Sequence, residues 1–148
     1  MDLKDFIGKE QFAVMRQLRR SEEGEWFRAK LAELEALTDA MPRIYGQEGL
    51  GDRAVVHLHY FTGSQDWYIT ERDTTSEQHQ AFGLADFGDG FAELGYISIA
   101  ELIRCGAELD LHWTPCTLGE CRRRQDDAST PGHPDNPRSD YSNTRETF

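Results

Sequence analysis

At 148 residues, with 38% hydrophobic and 29% charged residues, the chain has the size and balance of one soluble domain that buries its own core. Its formal net charge is −11, concentrated in residues 51–121, where 12 acids face 3 bases for a net of −9; residues 1–50 carry −2 and residues 122–148 carry 0. That middle section repels nucleic-acid phosphates, no apolar run reaches the roughly 18 residues of a membrane crossing, and three cysteines suit a reducing compartment better than a disulfide framework.

Residues 2–20 read as a helix, with Phe6, Ile7, Phe12, Met15 and Leu18 near helical spacing and Gly8 weakening the first turn. The opening "MDLKDFIGKE" is acidic and too poor in apolar residues for a secretory signal, so a cytoplasmic protein is expected. A second helix follows over "SEEGEWFRAKLAELEAL", with Ser21 as its N-cap, Gly24 delaying its start and Pro42 closing it. "MPRIYGQEGLGD" is an irregular link. Four strands are then expected: "RAVVHLHYF", "WYITE", "AFGLADF" and "ELGYISI", the first two joined as a hairpin by "TGSQD". Ser98 and Glu101 have capping-box spacing ahead of a short helix that Gly106 ends. "AELDLHW" alternates strictly and reads as a fifth strand. From residue 122 onward, three of the five prolines and almost no aliphatic residues predict a flexible tail over 122–148. The fold class is therefore α+β: residues 1–121 form one domain, two N-terminal helices packed on an antiparallel sheet of about five strands, with one short helix before the last strand.

The residues from about Ala54 to Leu118 carry a resemblance. The strand "VVHLHYF" is followed by "WYITERD", then "AFGLADFGDGFAELGYISIAEL", then "ELDLHW". Trp67, Thr70, Glu71, Phe82, Gly83, Leu84, Glu93, Leu94, Gly95 and Tyr96 stand in the order and spacing of the domain of unknown function 2958 family, which the chain resembles. It departs from that pattern at Ala92, where the family has proline, and at Leu109, where it has arginine. The resemblance implies a small protein of a bacterial plasmid, phage or integrated element.

His57 and His59, two apart on one strand, can ligate zinc if His112 or Glu71 supplies a third group; otherwise they are polar-face residues of a half-exposed sheet. Cys105, His112, Cys116 and Cys121 lack the close cysteine pair of structural zinc sites, so buried or idle thiols are expected there. Glu71, Glu93, Glu108 and Asp110 can do acid–base work only if they converge; the alternative is a solvated acidic face. No nucleophile elbow, Walker loop or dinucleotide fingerprint is visible, and "GLGD" and "GDG" read as turns. The dense aromatics, Tyr60, Phe61, Trp67, Tyr68, Phe82, Phe87, Phe91, Tyr96 and Trp113, read as core, with one or two at a protein interface.

The expected function is non-enzymatic, with no cofactor and no catalytic or metal site. Glu71, Asp73, Glu77, Asp86, Asp89, Glu93, Glu108 and Asp110 would bind a basic host or element protein, in the sharpest form as a DNA mimic that blocks a nucleic-acid-binding defence protein. The rival is a small metal- or carboxylate-dependent hydrolase built on His57, His59, Glu71 and Asp110.

Overall fold

The computed structural model describes residues 3–18, 20, 22–73 and 80–129. The first helix of the chain is shorter than its periodicity suggests. A 3-10 turn, Leu3–Asp5, gives way at Gly8 to α1, Lys9–Leu18. The second, α2, spans Gly24–Ala40 and starts at Gly24, three residues after Ser21, which lies outside the described residues. Strands β2 (Leu58–Thr62), β3 (Gln65–Arg72), β4 (Gln80–Asp86) and β5 (Glu93–Ser98) follow, then α3 (Ile99–Arg104) and β6 (Glu108–Leu109). They form one five-stranded antiparallel sheet in the order β5-β4-β3-β2-β6. The Ser98 side chain caps α3 by accepting from Glu101 N at 3.3 Å, and Gly106 takes a left-handed φ of 86° where that helix ends.

The class is α+β, with α1, α2 and α3 on one face of the sheet. Leu58, Tyr60, Trp67, Ile69, Ala81, Ile97 and Leu109 share a core with residues of α1, α2 and α3. Tyr60 is wholly buried; its hydroxyl donates to Phe6 O, and burial raises its pKa far above the usual phenol value. The edge strand β6 is closed by a side chain: Gln11 of α1 donates to Leu109 O at 2.8 Å and accepts from Leu109 N at 3.0 Å.

The opposite face carries a second, smaller core. The expected first strand is interrupted at His57: its first part, β1 (Val55–Val56), leaves the main sheet and pairs with β7 (Cys116–Thr117). The expected fifth strand is cut to two residues because Asp110 turns the chain, its Oδ1 accepting from His112 N at 2.9 Å. Helix α4 (Leu118–Ser129) then seats Leu118 and Cys121 against Ala54, Val56, Tyr68 and Leu84. The first eight residues of the expected tail are thus helical; residues 130–148 lie outside the described residues.

One irregularity sets which side chains reach which face. Ile69 is registered with Gly83 but Glu71 with Phe82, so Thr70 is an extra residue in β3. Strict alternation would put Glu71 with Trp67 and Ile69 in the helix-facing core. The bulge reverses this: Arg72 turns toward α2, its Nη2 donating to Asp39 O at 3.3 Å, and Glu71 emerges on the other face beside Phe82. The crowding falls on Gly83, where a Cβ would stand 2.0 Å from Tyr68 O.

Two outcomes follow for stability. Trp67→Ala is expected to cost about 3–5 kcal/mol in urea unfolding, because the ring is buried in the larger core. Gly83→Ala is expected to cost about 1–3 kcal/mol, whereas alanine at its cross-strand partner Gly95, where a Cβ meets nothing within 4 Å, should stay within about 0.5 kcal/mol. Equal effects at the two glycines would show that the bulge does not impose the constraint.

Candidate functional site

The outer face of the sheet is covered over β2, β3 and Leu84 of β4 but not over β5. There the link before β1, the bulge and the edge strand enclose a cleft of about 420 Å³, walled by Ile44, Tyr45, Phe82, Leu94 and Leu118, with Glu71 among its few polar groups. Glu71 is 4% exposed. Its Oε1 accepts from Gln47 N at 3.0 Å and its Oε2 lies 3.0 Å from the Thr70 hydroxyl, which is also 3.1 Å from Phe82 O. Gln47 also fastens the link to the strands: its amide donates to Val55 O and Thr70 O and accepts from Val55 N, at 2.7–2.9 Å.

Exposed apolar groups surround this cleft. Leu94 is 47% exposed, Tyr96 58% and Tyr45 65%, and the hydroxyls of the two tyrosines hydrogen-bond each other. Tyr45 has a φ of 76°, the left-handed region, which costs a residue with a Cβ about 1–2 kcal/mol. Non-glycine residues are held in such conformations where the surroundings over-determine them, commonly at binding sites. Phe87 and Phe91, in the loop between β4 and β5, are also exposed. The aromatics therefore divide: Tyr60, Trp67 and Tyr68 are core as expected, whereas Phe87, Phe91 and Tyr96 are surface groups.

A second cluster lies toward the hairpin turn. His59 Nε2 is 2.7 Å from Asp66 Oδ1 and its Nδ1 is 2.9 Å from Asp110 Oδ2. The ring stacks on Tyr68 at 4.9 Å and meets Trp113 at 5.0 Å, leaving its side chain 13% exposed. Burial alone would lower its pKa; the hydrogen bonds and charges of Asp66 and Asp110 outweigh burial and raise it. Two ionised carboxylates only accept, so imidazolium, with two N–H groups, satisfies both where neutral imidazole satisfies one. This is a clasp that joins the turn after β6 to β3. His57, half-buried at the break between β1 and β2, has its pKa lowered by burial.

The structure separates the remaining expected residues. His59 and Asp110 meet, but Glu71 lies in the other cluster, three residues along β3 from His59's partner Tyr68, or about 10 Å away at strand rise. Glu93 and Glu108 stand on opposite edge strands, roughly 19 Å apart across four strand spacings. Asp86 is registered opposite Asp66; Asp89 is exposed and accepts from Phe91 N; Asp73 follows β3 and is half-buried. Glu77 lies outside the described residues. Cys105 is exposed beyond the end of α3. Cys116 and Cys121 sulfurs are 3.4 Å apart, and burial, with the hydrogen bond to Cys116, pushes the Cys121 thiol up to about 12. Among the described residues no three of these side chains converge to hold a metal ion. Asp66, Gln47 and Tyr45 were not anticipated; only the acid in the turn, seven residues from His59, left any trace in the sequence.

A protein-family profile described as "Protein of unknown function (DUF2958)" matches residues 26–114. The match takes in α2 from Trp26 onward, the whole main sheet and the link that carries Tyr45 and Gln47. No curated protein and no solved structure matches the chain. Among the described residues no helix is long and apolar enough to cross a membrane.

The two histidines bias stability in opposite directions of pH. His59, raised in the fold, contributes stability fully below its unfolded value of 6.5, and that contribution is lost as pH rises through its folded value. His57, lowered in the fold, contributes above 6.5 and loses that contribution as pH falls through its folded value. Urea midpoints measured from about pH 5 to 9 should therefore peak near 6.5. His59→Gln should abolish the fall on the alkaline side and His57→Gln the fall on the acid side. An alkaline fall that persists in His59→Gln would remove the clasp from this account.

Proposed function

The chain belongs to the DUF2958 family, and we propose that it is a non-enzymatic binding protein whose outer sheet face docks a basic protein partner. The observation that carries this reading is the uncovered apolar patch of Leu94, Tyr96 and Tyr45 on and beside an edge strand, with the exposed acid Glu48 at its rim and the exposed acids Asp89 and Glu93 in the loop and strand start just before Leu94. Contiguous exposed apolar groups with a polar rim are typical of protein interfaces, and aromatic residues supply much of the energy at such centres. The two edges of the sheet differ in the same sense. The β6 edge is closed by Gln11, whereas β5 has no further strand beside it among the described residues. The net charge of −9 over residues 51–121 selects the sign of the partner and speeds its approach.

In its sharper form the protein is an accessory factor of a plasmid, phage or integrated element, acting in the cytoplasm. Its partner would be a nucleic-acid-binding defence protein whose phosphate-binding surface the acidic rim occupies, as an anti-restriction or anti-CRISPR protein would. The acids that support this form are on the surface, not buried. Glu71 therefore has a different role from Glu48, Asp89 and Glu93.

Capture from a bacterial lysate tests the reading. Glu48→Lys with Glu93→Lys should weaken capture severalfold at low salt with little change in urea midpoint, since both side chains are exposed. Tyr96→Ala should weaken capture at low and high salt alike. Glu108→Lys, on the far edge, should leave capture unchanged. Competition by DNA for the captured protein separates the mimic form from other basic partners. If the rim reversal captures the same proteins at the same salt, the acidic surface serves solubility and the proposal is wrong.

A further inference from the structure

The acids of the rim do not explain why a carboxylate sits below them. Glu71 is buried in a cleft whose walls are mostly aliphatic and aromatic, and its two hydrogen-bond donors, Gln47 N and the Thr70 hydroxyl, are both neutral. Among the described residues no lysine, arginine or histidine forms an ion pair with it. The next residue, Arg72, is carried away by the bulge and reaches Asp39 O beside α2. A buried charge is normally matched by an opposite charge or a metal. The contrast with His59, held between two carboxylates, is direct.

Resting on the binding reading above, we infer that the cleft receives one cationic side chain of the partner, a lysine or arginine, whose charged end meets Glu71. Each Glu71 oxygen retains acceptor capacity beyond its one present donor. The walls suit the rest of such a side chain. Ile44, Leu94 and Leu118 match an aliphatic stem, and the aromatic side chains of Phe82 and Tyr45 line the same cleft. A guanidinium fits best, because its planar fork pairs with a carboxylate while its face lies on a ring. A neutral apolar group would leave the carboxylate desolvated and unmatched, and an anion would be repelled. The volume of about 420 Å³ is within the span of ligand sites, about 300–1,000 Å³. Glu48, also at the cleft, adds a second negative charge where the side chain would enter.

The test uses the full chain labelled with nitrogen-15 and the capped amino acid N-acetyl-arginine-methylamide, in which the guanidinium is the sole charge. N-acetyl-citrulline-methylamide has nearly the same shape and no charge. With the arginine probe, amide shifts should centre on Gln47, Glu71 and Leu94 and saturate at about 1–10 mM; citrulline should bind at least about tenfold more weakly. Glu71→Gln, which keeps an oxygen for Gln47 N, should lose a similar factor. The citrulline contrast is measured on the unaltered protein and holds even if that variant does not fold. Equal binding of the two probes, shifts centred on Asp89 and Glu93, or absence of saturation would overturn the inference. If it fails while the Glu48 and Glu93 reversal still weakens capture, the surface reading stands alone. If the cleft saturates with arginine but the reversal changes nothing, the surface reading fails and the cleft stands.

Discussion

The extra residue at Thr70 is the constraint on which the arrangement of both faces depends. β3 is the central strand and is paired on each side, so one inserted residue changes the direction of everything after it. Without it the sequence Trp67, Ile69, Glu71 would deliver a carboxylate into the helix-facing core, and Arg72 would point into the outer cleft. With it, the arginine lies against α2 and the carboxylate lies opposite Phe82. The bulge is held by side chains specific to it. Gln47 takes the Thr70 carbonyl, and the Thr70 hydroxyl lies between Glu71 and Phe82 O. The last residue of β3 is pinned from the other side by the link, Arg72 N donating to Pro42 O and Ile44 N to Arg72 O. The absence of a side chain at Gly83 lets the two strands stay in contact through the irregularity.

The faces of the sheet are finished to different degrees. The inner face is complete, with buried residues from α1, α2 and α3 over most of its length. The outer face is covered only where β1, β7 and the first turn of α4 supply Val56, Leu118 and Cys121. This smaller cluster stops short of β5, so Leu94 and Tyr96 remain in solvent although their strand neighbours Leu84 and Phe82 lie under or beside it. Helix α4 continues as Arg122-Arg123-Arg124, of which Arg122 pairs with Asp52 at 3.2 Å.

Much of the main sheet was legible because its strands alternate or are rich in β-branched and aromatic residues, and because glycine turns separate them. The Ser98 cap and the family pattern from Trp67 to Tyr96 were equally local. What escaped the sequence depends on contacts between distant segments. The split of the first strand at His57 follows from β7, some sixty residues later. The shortening of the last strand follows from Asp110, which both turns its own backbone and holds His59. The start of α4 was hidden because the apolar side chains it buries among the described residues, Leu118 and Cys121, are too few to show a helical period. The candidate site was half visible. The Thr70-Glu71 pair stood out, but strand alternation gives no warning of a bulge, and nothing in "RIYGQEG" shows that Tyr45 and Gln47 close a cleft over it.

The two titratable clusters on the outer side of the sheet separate structure from function. His59 has both ring nitrogens opposite carboxylates and its ring packed against Tyr68 and Trp113, so its surroundings account for it fully. Each group that it touches belongs to this chain, and the cluster ties the end of β6 to the hairpin. Glu71 is more deeply buried than His59, yet no residue of opposite charge pairs with it among the described residues, and it lines the open cleft. A neutral residue there would serve stability alone at least as well, since burying an acidic group costs free energy that hydrogen bonds from neutral donors offset only in part. The place of Glu71 beside a strained tyrosine and an exposed aromatic strand makes sense when the missing charge comes from outside the chain.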